Sequence, residues 1–214
     1  MAVIIIDYGS GNLKSVFKAF ERSSASLVSG RKIIVSKNFK DLRKASHIVL
    51  PGVGSYSDCR VGLSKLSGME EALKWAVIEK RIPFLGICIG MQLLADRGLE
   101  NGITRGLGWV NGEVVPIKNI NIKLKIPHIG WNNIHFDKLN HPIFGNLNNN
   151  SDGYFVHSYK FICEKKEDCY ASVDYGQKIA AIIGRENIIG TQFHPEKSQA
   201  FGLKLIQNFL TWAP

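Results

Sequence analysis

Pro83-Phe84-Leu85-Gly86-Ile87-Cys88-Ile89-Gly90-Met91-Gln92-Leu93-Leu94, residues 83–94, begins as an apolar run too short for a helix. Such a run fits a strand buried in a parallel sheet. It leads into Gly86-Ile87-Cys88-Ile89-Gly90, a G-x-C-x-G. That is the nucleophile-elbow pattern with sulfur in place of the serine oxygen. The paired glycines give a sharp strand-to-helix turn room and unusual backbone angles. Met91 to Leu94 then read as the first turns of a helix. Cys88 is expected at its N-terminus, where unpaired N–H groups and the dipole favour an anion, and so the reactive thiolate. The competing reading is a small buried hydrophobe at the end of a core strand.

Upstream, strand and helix signals alternate. Ala2 to Ile6 is a buried strand, and Asp7-Tyr8-Gly9-Ser10-Gly11-Asn12 a glycine-rich turn at its end. Leu13, Val16, Phe17 and Phe20 have helical spacing. Arg22 to Lys32 reads as a loop, Ile33 to Val35 as a strand and Phe39 to Ala45 as a short helix. His47 to Leu50 is a third strand, with His47 structural, ending at Pro51-Gly52-Val53-Gly54. Val61 to Lys65 and Met69 to Lys80 are helical, the latter with Leu73, Val77 and Ile78 on its apolar side. This order predicts an α/β fold, a mostly parallel central sheet with helices on both faces. Ligands bind such sheets at the carboxyl ends of strands. Three loops fall there: Gly9 to Asn12, Pro51 to Gly54, and the Cys88 turn. A dinucleotide fingerprint is not met, because Lys14 stands where a third glycine belongs.

Past Arg97 glycines punctuate the chain and the runs shorten: Glu113 to Ile117, Lys123 to Pro127, Asn132 to Phe136, Gly153 to His157, Asp168 to Val173, Ile179 to Ile183 and Ile188 to Gln192. These read as antiparallel strands laid on the edge of the parallel sheet. Asn146 to Asn150 is a polar surface loop. A last helix starts near Ser198, with Phe201, Leu205 and Phe209 in step. With no repeats and no linker, residues 1–214 read as one domain.

The 214 residues are 45% apolar and 21% charged, ordinary for a soluble globular protein. The net charge of +9 is spread over a lysine-rich surface, with mild clusters at Lys118 to Lys125 and Lys160 to Lys166. No aromatic-interleaved basic motif supports nucleic-acid binding; a negatively charged substrate or acidic partner would suit the charge. Cys59, Cys88, Cys163 and Cys169 show no metal or redox spacing and read as reduced, hence a cytosolic setting. Met1 to Asp7 lacks the basic start of a signal peptide, and no apolar run is long enough to span a membrane.

Far downstream, Ile189-Gly190-Thr191-Gln192-Phe193-His194-Pro195-Glu196 reads as a strand with His194 and Glu196 at its end. Proline biases His194 to an extended backbone, where residues two apart point the same way. A carboxylate beside an imidazole fixes its tautomer and supports its protonated form. Alone, the pair reads equally as an exposed strand-end couple; with Cys88 it completes nucleophile, base and orienting acid. The order Cys, His, Glu differs from that of the α/β-hydrolases, where the acid precedes the histidine.

Gly-Ile-Cys-Ile-Gly-Met-Gln with a distant His-Pro-Glu resembles the class I, triad-type glutamine amidotransferases, which implies their flavodoxin-like fold. Within them, Ile-Asp-Tyr-Gly-Ser-Gly-Asn-Leu at 6–13, Leu-Pro-Gly-Val-Gly at 50–54, Pro-His-Ile-Gly-Trp-Asn at 127–132, Tyr-Phe-Val-His-Ser-Tyr at 154–159 and Thr-Gln-Phe-His-Pro-Glu-Lys-Ser at 191–198 resemble the glutaminase subunits of imidazole glycerol phosphate synthases. The resemblance runs from Ile6 to the last helix. Ser10, the segment Ala95-Asp96-Arg97-Gly98 and a long polar stretch from Ser23 to Gly30 depart from the family pattern.

The resemblance implies that Cys88 attacks the side-chain carboxamide of glutamine, that His194 protonates ammonia and then activates water, and that Glu196 orients His194. Oxyanion donors are expected from the Ile89 N–H and from a backbone N–H at Gly52 or Val53. Gln92 and Glu100 would hold the α-groups of glutamine, with Gly54, His157, Ser158 and Tyr159 closing the pocket. No metal or cofactor is implied. The partner would be a cyclase subunit, in a heterodimer, that uses the ammonia in histidine biosynthesis, meeting Asn12, Pro127, His128, Trp131 and Lys197. Little activity is expected from the chain alone. Rivals are a sibling amidotransferase feeding another synthase, a paralogue feeding surface-sugar amidation, and a non-catalytic binding module.

Overall fold

The computed structural model describes residues 2–28, 30–118, 124–137, 140–149 and 151–214. In chain order its strands are β1 Ala2–Ile6, β2 Lys32–Ser36, β3 Ala45–Gly52, β4 Phe84–Cys88, β5 Arg97–Gly98, β6 Thr104–Arg105, β7 Gly112–Pro116, β8 His128–Phe136, β9 Ser151–His157, β10 Tyr159–Cys163, β11 Cys169–Asp174, β12 Lys178–Arg185 and β13 Ile188–Thr191. Its helices are α1 Leu13–Ala25, α2 Tyr56–Ser64, α3 Met69–Lys74, α4 Ile89–Gln92 and α5 Gln199–Thr211.

Among the described residues the main sheet runs β2-β1-β3-β4-β13-β12-β11-β8-β9. The first five strands are mutually parallel and the rest antiparallel. β4 is buried along its whole length, as its uninterrupted apolar run requires. Helices pack as two groups, α1 against α5 and α2 against α3. The ring of His47 turns from β3 to Phe209 of α5 and Nε2 meets the Trp212 carbonyl at 3.1 Å. That makes His47 a core residue, as its sequence context predicts.

Several expectations are corrected. The C-terminal strands do not simply extend the edge: β10-β7-β5-β6 form a separate four-stranded sheet, and β13 is parallel to β4 rather than antiparallel to everything near it. Sheet membership is a long-range choice that period-two patterning cannot carry. α1 continues through Ala25, so helix covers the first part of the expected 22–32 loop; position 29 lies outside the described residues. Residues 124–127 form no strand, and position 123 of that expected run lies outside the described residues, as does position 150 of the 146–150 loop. The stretch after Met69 changes from α to π-helical bonding over Trp75–Glu79, which turns Ile78 outward to 43% exposure. Among the described residues no helix is long and apolar enough to cross a membrane.

Candidate active site

β4 lies between β3 and β13, and all three strands end on the same side. Gly52 at the end of β3 is in register with Cys88 at the end of β4, and Thr191 of β13 with Ile87. The topology therefore brings the Pro51–Gly54 turn, the thiol and the His194 segment side by side. This is the carboxyl edge at which parallel sheets hold ligands.

The turn at Cys88 is sharp because Cys88 itself takes φ 54° and ψ −109°, rare for a residue with a side chain. The glycines serve space rather than backbone angle. A Cβ on Gly86 would lie 2.5 Å from the Gly90 carbonyl, and one on Gly90 would overlap the Leu50 carbonyl of β3. The helix that follows is shorter than expected: α4 ends at Gln92, and Leu94 and Ala95 bond back to Met91 and Gln92 in three-residue turns.

His194 and Glu196 are close, but for a different reason from the one the pattern suggests. β13 stops at Thr191, and Pro195–Lys197 form a 3-10 turn that swings Glu196 back under the ring. Nδ1 of His194 meets Oε1 of Glu196 at 2.8 Å, both side chains buried. Ser198 clamps the segment, donating to the His194 carbonyl at 2.7 Å and accepting the Tyr154 N–H at 3.0 Å. Burial pushes the imidazole's pKa down; hydrogen bonding and charge from Cys88 and Glu196 outweigh burial and hold it raised. The approach of Cys88 is looser than a full hydrogen bond, since Nε2 has no partner at bonding geometry.

Cys88 and His194 line one cavity of about 240 Å³. Val53, Gly54, Ile89, Gln92 and Glu100 form one wall; Pro127, Val156, His157, Ser158 and Tyr159 form the other. Gln92 donates to the Tyr159 carbonyl at 3.1 Å and leaves its own Oε1 buried without a partner. Glu100 Oε2 accepts the Tyr56 N–H at 2.6 Å, anchoring the start of α2 to the pocket. Gly54 holds φ 105°, which a side chain would strain. Burial lowers the pKa of His157 to about 4, and the nearby His128 and His194 reinforce the shift. Neutral His157 gives its Nδ1–H to the Tyr159 carbonyl at 2.8 Å, so its Nε2 accepts from Nδ1 of His128 at 3.0 Å.

Of the expected oxyanion donors, Ile89 opens α4 beside the thiol. The Val53 N–H is engaged elsewhere: it donates to Ser10 Oγ at 3.3 Å, while Ser10 Oγ–H donates to the Val53 carbonyl at 2.5 Å. Gly52 is packed against Tyr8, Ile89 and the Gly90 N–H and does not line the cavity.

The expected partner residues separate into two sets. Trp131 is 48% exposed, its ring meets Tyr154 edge-on, and the Lys197 ammonium sits 5.6 Å from the same Tyr154 ring. Pro127 is at the cavity wall. Asn12 caps α1 through the Ser15 N–H. His128 is a correction: it is buried, stacked between Phe155 and Tyr175, and so is not presented to a partner. Sequence reasoning gave no role to Gln192, whose amide reaches Cys88 Sγ at 3.8 Å. No local pattern pointed to it, because β13 ends at Thr191 and Gln192 meets a sulfur 104 positions away.

Residues 4–212 match the family model described as glutamine amidotransferase class-I. The chain belongs to the class-I glutamine amidotransferase family. The amidotransferase fold of this chain is shared with a solved glutamine amidotransferase at TM-score 0.71 and with one from Thermotoga maritima at 0.64. Both are 17% identical and each alignment covers 98% of this chain, with 97% and 96% of the other, a likeness of fold alone. Among curated amidotransferases, the chain is 51% identical to the imidazole glycerol phosphate synthase subunit HisH of Brucella abortus (strain 2308) and 49% to that of Rhodospirillum rubrum. Both alignments cover all of both chains.

Proposed function

We propose that this chain is the glutaminase subunit of an imidazole glycerol phosphate synthase, one catalytic domain that releases ammonia from glutamine for a cyclase subunit in histidine biosynthesis. The convergence of Cys88, His194 and Glu196 at the carboxyl ends of adjacent strands carries the chemistry. End-to-end likeness to the named HisH subunits supports the pathway. Cysteines held as thiols rather than disulfides fit a reducing cytosol.

Cys88 Sγ attacks the glutamine carboxamide carbon, and the carbonyl oxygen becomes an anion. The Ile89 N–H is one donor to it. The second comes from the Pro51–Gly54 turn, and here the Val53 N–H is held by Ser10. Losing one oxyanion donor costs about 10²–10³ in rate. A turn in this state supports low activity until a partner reshapes it. His194, held protonated by Glu196, gives its proton to the departing ammonia and then takes one from the water that cleaves the thioester. The free Oε1 of Gln92 and the Glu100 carboxylate are suited to the α-ammonium of glutamine. Trp131, Tyr154 and Lys197 form an exposed cluster suited to anchoring the cyclase.

The test is glutamate release by the chain alone, with a cyclase subunit, and with cyclase plus its nucleotide ligand. Strong stimulation that vanishes in Cys88→Ala is expected. Full activity without the cyclase would refute the coupling, and no activity under any condition would refute the chemistry.

A further inference from the structure

Gln192 follows β13 directly and is fully buried, its backbone N–H donating to the Ala181 carbonyl at 2.9 Å. Its side chain joins two parts of the cavity. Oε1 accepts Gln92 Nε2–H at 2.9 Å, and Nε2 faces Cys88 Sγ at 3.8 Å. Which end of the amide faces the sulfur is fixed by a third group. Gln92 Nε2 also meets the Tyr159 carbonyl, which can only accept, so that end of Gln92 is the donor. Gln192 must therefore turn its oxygen to Gln92 and its nitrogen to the thiol.

The distance is long for a neutral thiol, a weak acceptor, but an anionic sulfur draws a donor in. Cys88 is only 3% exposed, so water is nearly excluded from the sulfur. A buried anion without donors is costly, and a hydrogen bond to the charged form favours it. His194 Nε2 forms no hydrogen bond here. Among the described residues, the side-chain donor at bonding geometry to Sγ is Gln192.

We propose that Gln192 is a further catalytic residue, whose amide N–H stabilises the Cys88 thiolate while its carbonyl oxygen ties that thiolate to the substrate-facing Gln92. The proposal rests on Cys88 being the nucleophile, but its test needs neither glutamine nor cyclase. Alkylation of Cys88 by iodoacetamide, resolved by peptide mass spectrometry, is followed against pH in the full chain. Gln192→Met keeps the length and removes the donor. Gln192→Glu keeps an oxygen for Gln92 and sets a carboxylate against the sulfur. In both, the rise of alkylation with pH moves upward by about one unit, roughly tenfold slower at neutral pH, and further in Gln192→Glu. Circular dichroism and thermal melts verify folding. If Gln192→Met does not fold, Gln192→Glu and the shorter Gln192→Asn, which withdraws the amide, carry the test. Folded variants whose profiles superimpose on the parent's would overturn the proposal and leave Gln192 a packing amide. A parent Cys88 no more reactive than Cys163 or Cys169 would instead sink the nucleophile reading itself, and the proposal with it.

Discussion

At Cys88 a non-glycine residue holds a positive φ between two glycines that do not. Such a conformation costs about 1–3 kcal/mol and persists only where neighbours impose it. The imposing contacts are backbone on backbone, Gly86 on Gly90 and Gly90 on Leu50. Gly90→Ala is therefore expected to cost at least about 2–3 kcal/mol, because the Leu50 carbonyl it would meet cannot yield without moving β3. Urea unfolding would measure it, and a cost under about 0.5 kcal/mol would contradict the packing argument. Glu196 acts through its charge on His194 rather than by touching substrate. Glu196→Gln preserves shape but removes the charge that helps hold the imidazole protonated. Stimulated glutamate release should fall about 10²-fold or more, with kcat affected more than KM. The reactive cysteine, histidine and acid were legible one by one, because G-x-C-x-G and H-P-E are local patterns. The strained φ was assigned to the wrong residues, since spacing reveals where a turn is tight but not which residue absorbs it.

β4 positions the chemistry by lying between the strand that carries the Pro51–Gly54 turn and the strand that leads to His194. The His194 segment leads into the short 3-10 turn, its N–H donating to the Tyr154 carbonyl at 2.9 Å; Ser198 adds a side-chain clamp, bridging the Tyr154 N–H and the His194 carbonyl and flanking the start of α5. Ser198→Ala should cost about 2–3 kcal/mol, from two buried hydrogen bonds and the groups left unpaired. Activity should fall as well, as His194 loses its fixed place. Thermal melts and cyclase-stimulated assays together check this; a loss of stability with kcat intact would mean that the turn holds itself. Among elements, the long or strongly patterned ones were legible: β1, β4, α1 and α5 follow uninterrupted or helical apolar spacing. The separate β10-β7-β5-β6 sheet was not, because its strands are short and its partners distant in sequence.

The whole molecule carries an acid liability in its buried histidines. Burial lowers the pKa of His47, His128 and His157 to about 4, against 6.5 for the free side chain. Between those limits the unfolded chain binds protons that the folded chain refuses, so stability falls as pH drops from about 6.5 to 4 and levels off below. The loss is up to about 3 kcal/mol for a fully buried group such as His157. His194 runs the opposite way: its raised pKa contributes stability that is complete below pH 6.5 and fades as pH rises through the folded value. Urea midpoints at pH 7 and pH 4.5 should differ, and His47→Gln should narrow the gap; an equal gap in that variant would remove His47 from the account. At the same scale, Trp131→Ala should weaken cyclase binding by about 2 kcal/mol, roughly 30-fold in Kd, without altering stability. Calorimetric titration would measure it, and unchanged affinity would place the interface elsewhere.

Local order along the chain was enough to establish an α/β sheet, a thiol at a strand-to-helix bend and a His–Glu pair, because apolar period, glycine spacing and proline act over a few residues. Three-dimensional folding alone settled that His128 is buried, that Ser10 holds the Val53 amide and that Gln192 faces the sulfur. Each of those depends on groups 43 to 104 positions apart or on the stacking of rings from separate strands. Burial and hydrogen-bond partnership are properties of such meetings, and no short-range pattern encodes which side chains will meet.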